Sequence, residues 1–133
     1  MLKDMAYCFS AGCVGALANS LTVWLAGITG LTLALGVGIA PSLTPEWLYP
    51  RLIWGGIWGF LFLLPIMRLT PYVRGLLFSL GPTLVQLLIV FPLVKHKGML
   101  GLQIGLLTPF FVLVFNAVWG WVTTMMLIRL RDQ

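Results

Sequence analysis

The sequence predicts an all-α membrane protein in which four transmembrane helices form two tandem two-helix repeats. Hydrophobic residues make up 60% of the chain and charged residues only 8%, whereas soluble domains carry about 25% charged residues. Four stretches reach the roughly 20 apolar residues that a helix needs to cross a bilayer. A short sequence pattern of the first half also recurs in the second half.

This composition excludes several classes of protein. So few polar side chains cannot coat a water-facing surface, which excludes a soluble enzyme domain, a disordered tail and a free nucleic-acid binder. The net charge of +5 comes from scattered cations that form no phosphate-tracking patch, so we expect no nucleic-acid partner. A membrane β-barrel would need alternating apolar and polar residues, and residues 75–93 show no such alternation.

The loops between the predicted spans differ in character. Residues 68–74 and 95–98 are short and cationic. Residues 29–47 are largely apolar, but their glycines, together with Pro41 and Pro45, argue against a fifth crossing. This segment is therefore predicted to be either interfacial or re-entrant. The spans of the single transmembrane domain cover about residues 5–28, 48–67, 72–94 and 106–128.

Lysines and arginines set the predicted orientation, because cytoplasmic loops carry an excess of them. If both termini are cytoplasmic, five of these cations lie inside and three outside. The sequence therefore predicts a multi-pass protein of the bacterial inner membrane with both termini in the cytoplasm. The inner cations are Lys3, Arg68, Arg74, Arg129 and Arg131, and the outer ones are Arg51, Lys95 and Lys97.

An internal repeat is the most specific feature of the sequence. The tripeptide Leu-Thr-Pro at 43–45 recurs at 107–109, which is 64 residues later. Residues 51–57 similarly match residues 116–122, and each run has Trp-Gly at its fourth and fifth positions. Units with two spans must share one orientation, so the predicted symmetry axis lies along the membrane normal. The two repeats extend over about residues 5–67 and 72–130.

Several motifs of Gly, Trp and Pro point to relatives. They include Trp-Gly-x-x-Trp-Gly-Phe-Leu-Phe at 54–62 and Gly-Leu-x-x-Gly-Leu-Leu-Thr-Pro at 101–109. Through them, residues 47–130 resemble small bacterial four-helix integral membrane proteins that are grouped only as an uncharacterised-domain family. Such proteins often carry His where this chain has Arg51 and Asn116. The resemblance therefore implies the four-helix architecture but no paired-His site for haem or metal.

The predicted spans offer little chemistry. The three acidic residues lie near span ends, and the single histidine, His96, lies in a loop. Ionisable groups inside the bilayer mark proton relays and substrate pathways, and this chain has almost none. The sequence also contains no catalytic triad, phosphate-binding loop or Cys/His cluster. We therefore expect no enzyme activity, no metal and no cofactor.

Polar side chains within the spans are the remaining candidates for a site. Asn19, Gln86 and Asn116 carry amides, which can hydrogen-bond across helices or bind a ligand. One interpretation is that these bonds only pack the bundle. The other is that the three amides converge on one polar, central site. Hydroxyl groups in the same spans include those of Ser20, Thr22, Ser79, Thr83, Thr123 and Thr124.

Arg51 is the most informative charge, because it follows Pro50 at the mouth of the second span. It is predicted either to anchor the helix at the lipid headgroups or to contact an anion or lipid phosphate. The repeat makes Asn116 its uncharged counterpart. The same two interpretations apply to Lys95 and Lys97.

Small residues predict where helices pack closely. Gly55 and Gly59 form a Gly-x-x-x-Gly motif on the second span, which lets helix backbones approach each other. Gly15 on the first span and Gly120 on the fourth are predicted to act in the same way.

Two functions follow from these features. The first is an accessory, structural or assembly subunit that packs with itself or with a larger membrane complex, surrounded by membrane lipids. The second is a passive channel or transporter for a small or weakly polar solute or a lipid, built on the two-fold repeat. The scarcity of charge inside the spans favours the first.

Overall fold

The computed structural model describes residues 2–39, 41, 43–64, 71–94, 101–102 and 105–131. These residues form five α-helices and no strand, which confirms the predicted all-α class. The α-helices are α1 (Leu2–Ile28), α2 (Leu31–Ala34), α3 (Pro45–Gly59), α4 (Pro71–Val85) and α5 (Thr108–Arg131). A 3₁₀ helix at Phe60–Leu63 follows α3, and a π-helix at Gln86–Val94 continues α4.

Three helical segments are long and apolar enough to cross a membrane: Leu2–Ile28, Pro71–Leu93 and Thr108–Leu130. They overlap the first, third and fourth predicted spans, and they are compatible with a multi-pass membrane protein. The second predicted span, residues 48–67, differs, because its α-helix ends at Gly59. The last three residues of that predicted span, 65–67, lie outside the described residues.

An N-cap residue and a proline at the first helical position explain where α3 begins. The Thr44 hydroxyl accepts a hydrogen bond from the backbone N–H of Trp47 at 3.3 Å, as an N-cap residue does. Pro45 follows at the first helical position, where its missing N–H would be unpaired in any residue. Pro50 lies inside the helix and removes one further amide from the ladder, next to Arg51.

Glycines explain where α3 ends. Gly55, Gly56 and Gly59 stand in its last five residues, and each weakens a helix by about 1 kcal/mol relative to Ala. The chain tightens into the 3₁₀ helix immediately afterwards. These glycines also bring α3 against α1, so the same residues that shorten the helix let it pack closely.

The side chain of Arg74 closes the end of the 3₁₀ helix. This residue of α4 is buried, and its Nη2 group donates hydrogen bonds to the carbonyl oxygens of Phe62 and Leu64. Its guanidinium also lies 5.4 Å from the ring centroid of Phe62 and 5.2 Å from that of Phe78. Arg74 therefore donates to carbonyl oxygens at the end of a helix, where the helix itself supplies no N–H donor.

The bundle is held together by close glycine contacts. Gly12 of α1 packs against Gly55 of α3, and Gly75 of α4 packs against Gly120 of α5. A Cβ atom on any of these four glycines would overlap atoms of the facing helix, mostly of its backbone. Gly15 of α1 lies against Trp119 and Thr123 of α5, which joins the two helix pairs. Helix α1 thus contacts both α3 and α5, and α4 contacts α5.

The segment after α1 folds back over one end of the bundle. Gly30 and Gly36 adopt φ angles of 82° and 79°, a left-handed conformation that favours glycine, and the short α2 lies between them. The Thr32 hydroxyl donates to the carbonyl of Ile39 at 2.6 Å and closes the loop. Val37 is fully buried in a cluster with residues of α1 and α5. The interfacial or re-entrant placement of residues 29–47 in a membrane stays a prediction.

Candidate functional site

A cavity of about 490 Å³ lies between α1, α3, α5 and the junction of α4 with the π-helix. Four polar side chains line it, one from each of these elements: Asn19, Arg51, Asn116 and Gln86. The rest of its wall is apolar and aromatic. It includes Pro50, Trp54, Trp58, Pro82, Val85, Val90 and Trp119.

Asn19 is the central polar side chain of the site. It is only 7% exposed, and its Nδ2 group donates to the carbonyl oxygen of Phe115. The same Nδ2 group lies 3.5 Å from Oδ1 of Asn116. Its Oδ1 atom accepts a 2.7 Å hydrogen bond from Nη2 of Arg51. Asn19 therefore connects α1 with both α3 and α5.

Arg51 brings a positive charge to this network. Its Nε group donates to Oγ of Ser20 at 2.9 Å, and its guanidinium lies 4.6 Å from the ring centroid of Trp47. Within the part of the chain that the structure describes, no carboxylate pairs with it. Its hydrogen-bond partners, Ser20 and Asn19, are neutral, so they orient the guanidinium without cancelling its charge.

Asn116 extends the network to α4. Its Nδ2 group donates to the Thr83 hydroxyl at 3.0 Å, and that hydroxyl donates to the carbonyl of Ser79 at 2.8 Å. The polar chain therefore crosses the bundle from α3 through α1 and α5 to α4. Such a chain fixes the relative positions of four helical segments around one cavity.

Gln86 enters the cavity from a widened piece of helix. It is the first residue of the π-helix, and Pro82 and Pro92 each remove one amide from the backbone ladder around it. π-Helical segments occur mostly as local insertions and frequently at functional sites. The Gln86 side chain is half-buried and makes no hydrogen bond with any other described residue.

The structure thus brings together the three amides that the sequence singled out. Asn19, Gln86 and Asn116 all line the same cavity, and Arg51 lines it with them. Lys95 and Lys97, the other predicted anion contacts, lie outside the described residues, as does His96. The predicted packing residues Gly15, Gly55, Gly59 and Gly120 are all buried at helix–helix contacts.

The aromatic wall of the cavity and the contact of Arg51 with α1 are not predicted from the sequence above. Residue spacing along α3 indicates both of them. Arg51, Gly55 and Gly59 stand four residues apart, so they share one face of α3, and that face packs on α1. Trp54 and Trp58 have the same spacing and form a second stripe beside the first.

The cavity has no set of side chains suited to a metal. Among the residues described, no group of three or more His, Cys, Asp or Glu side chains lies together.

Comparisons with protein-family models, curated proteins and solved structures find no match to this chain. The resemblance of residues 47–130 to a four-helix family therefore stays an expectation, and functional inference rests on the geometry.

Proposed function

We propose that this protein binds a small solute inside the membrane and serves as a passive transporter or channel for it. One observation carries the proposal: side chains from four separate helical segments converge on a single cavity of about 490 Å³. This volume lies within the range of about 300–1,000 Å³ that is typical of small-molecule sites. Its mostly apolar wall with a few polar groups is also typical of such sites.

The proposal includes a fourth membrane span formed by α3 and the 3₁₀ helix after it. The 15 residues of α3 and the four residues of the 3₁₀ helix together extend about 30 Å at 1.5 and 2.0 Å per residue. That length equals the thickness of a typical hydrocarbon core, about 30 Å. In the bacterial inner membrane, with both termini cytoplasmic, Arg51 then belongs to the outer half of this span.

The close contacts also support the duplicated hairpin. The Trp-Gly pairs of the repeat place Gly55 against Gly12 in one hairpin and Gly120 against Gly75 in the other. In each second helix, the residue four positions before that glycine reaches a polar side chain of the first helix. Arg51 reaches Asn19 and Ser20, and Asn116 reaches Thr83. The cavity lies where the two hairpins meet, as sites do in many transporters built from repeats.

An accessory or assembly subunit, acting as an oligomer or within a larger complex, is the other function that the sequence predicts. The sequence supports it through the scarcity of charge inside the spans and through the abundance of small-residue motifs. The described structure uses Gly12, Gly15, Gly55, Gly75 and Gly120 within the chain itself, so these glycines do not call for an external partner. This internal use shifts the balance toward the solute-binding function.

Solute flux through proteoliposomes tests the proposal. Vesicles with and without the purified protein are shrunk in hyperosmotic glycerol, urea or acetate, and re-swelling is followed by light scattering. We expect the protein to accelerate re-swelling for at least one solute. Val90→Trp, which fills the cavity, should return that rate to the rate of empty vesicles.

Leu93→Trp is the matched control for that variant. It adds the same side chain to the same helical segment, but at a position that is 68% exposed and lies away from the cavity. It should retain the native rate. Re-swelling equal to that of empty vesicles for all three solutes would overturn the proposed transport, and loss of flux in both variants alike would overturn the cavity as its route.

A further inference from the structure

We infer that the cavity takes an organic anion, with a carboxylate or phosphate group held by Arg51 and an apolar body packed against the tryptophans. This inference rests on the proposed function, and it names the class of solute. Arg51 is the one charged side chain among the residues that line the cavity, and it keeps N–H groups that no described residue accepts.

The guanidinium of Arg51 is oriented but not saturated. A guanidinium has five N–H groups, and the described structure uses one of them on Ser20 and one on Asn19. The other three find no acceptor among the described residues, and Arg51 lines the cavity. Two of them belong to Nη1 and one to Nη2, so they form the planar fork that binds carboxylate or phosphate oxygens through two parallel bonds.

The charge itself calls for a partner. Keeping an ionised group in an apolar, low-dielectric site is unfavourable unless it is paired. Arg74, the other arginine inside the described bundle, directs its Nη2 group to main-chain carbonyls that end a helix, which is a structural role. Arg51 has no such carbonyl acceptor among the described residues. An anionic ligand would supply the missing negative charge.

The remaining wall defines the rest of the ligand. Trp54, Trp58 and Trp119 present aromatic surface, which packs well against a flat apolar group. The Gln86 amide is available for one further polar group on the ligand. Both a soluble aromatic acid and an anionic lipid have an anionic oxygen group attached to an apolar body, which is the ring of the acid or the acyl chains of the lipid.

A pair of isosteric probes tests the inference. The protein is placed in nanodiscs of zwitterionic phosphatidylcholine, and quenching of its tryptophan fluorescence is titrated with 4-bromobenzoate and with neutral 4-bromobenzamide. Hydrogen bonds to charged groups contribute about 1.5–3 kcal/mol, so the native protein should bind the carboxylate about 10- to 150-fold more tightly. The preference should disappear in Arg51→Gln.

Two further variants keep the test decisive. Arg129→Gln removes the same charge from an exposed position on α5 and should keep the full preference. Arg51→Lys retains the charge without the planar fork and should keep a smaller preference, even if Arg51→Gln fails to fold. Native mass spectrometry from mixed phosphatidylcholine and phosphatidylglycerol discs identifies the source of the anion. Retention of phosphatidylglycerol that depends on Arg51 indicates a lipid, and its absence together with carboxylate selectivity indicates a soluble acid.

The failures of the two proposals are distinguishable. Equal affinity of the native protein for both probes, without retention of phosphatidylglycerol, overturns the anion inference. If Val90→Trp still abolishes solute flux in that case, the transport function stands and its solute is neutral. Arg51-dependent binding of 4-bromobenzoate without flux of any solute has the opposite meaning: the anion site stands and transport falls.

Discussion

The hydrogen bond between Asn19 and Arg51 offers the sharpest test of the site. Nη2 of Arg51 donates to Oδ1 of Asn19 at 2.7 Å, and Asn19→Ala removes that acceptor. Bonds to a charged group contribute about 1.5–3 kcal/mol, whereas side-chain bonds between membrane helices average about 0.6 kcal/mol. Since Ser20 remains as a second partner for Arg51, we expect a coupling energy near the lower end, about 1.5 kcal/mol.

A double-mutant cycle in detergent micelles measures this coupling. Asn19→Ala, Arg51→Gln and the double variant are unfolded by titration with sodium dodecyl sulfate, and tryptophan fluorescence reports the free energy of unfolding. Thr22→Ala is the control on the same helix, because among the described residues its hydroxyl bonds only to the carbonyl of Ala18, at 2.8 Å. Its coupling to Arg51→Gln should stay within about 0.5 kcal/mol. A coupling that small for Asn19 would refute the network.

Three further predictions concern the packing of the bundle, and the same unfolding titration checks each of them. Gly75→Ala should lower the free energy of unfolding by about 1–3 kcal/mol, because its Cβ would overlap the backbone of Gly120; an unchanged value would contradict that close approach. Arg74→Met keeps an apolar stem but removes donors to two helix-end carbonyls, so a loss of about 2–3 kcal/mol is expected. Trp119→Phe removes the 3.2 Å bond from Nε1 to the carbonyl of Gly12 and part of a buried ring, and it should cost about 1–3 kcal/mol.

Hydrophobic length was sufficient to locate most of the helices. The first predicted span, residues 5–28, differs from α1 only at its beginning, and the fourth, residues 106–128, is shifted by two or three residues from α5. The third covers α4 and the π-helix together. Apolar content determines these segments because long helices satisfy their own backbone groups in lipid.

Two features could not be obtained from hydrophobic length. The early end of α3 depends on glycines whose helix weakness competes with close packing on α1, and composition alone does not say which effect dominates. The π-helix at Gln86 depends on how Pro82 and Pro92 rearrange the backbone ladder between them. The end of α3 and the π-helix both lie within segments that are largely apolar. Hydropathy would therefore be the same if α3 were longer or if residues 86–94 were α-helical.

The candidate site was predictable in its residue types but not in its assembly. Asn19, Gln86 and Asn116 were singled out because amides are uncommon inside spans, and all three line the cavity. Arg51 was placed by its distance from the span end, which predicts depth in the membrane. Which helix Arg51 faces depends instead on Gly55 and Gly59, which lie four and eight residues further along. They share its face of α3 and pack on α1.

Under the proposed repeat, Arg51 and Asn116 occupy equivalent positions, and only Arg51 is charged. In the second hairpin, Asn116 satisfies Thr83 with a neutral amide, so the fold needs only a hydrogen-bond donor at this position. In the first hairpin, Arg51 supplies a donor to Ser20 and Asn19, and it adds a charge and three further N–H groups that these two partners do not use. A neutral donor would satisfy the same packing at lower desolvation cost. Under the proposed repeat, the charge makes the two equivalent positions differ at the cavity, and the proposed anion would give that charge a role that packing does not.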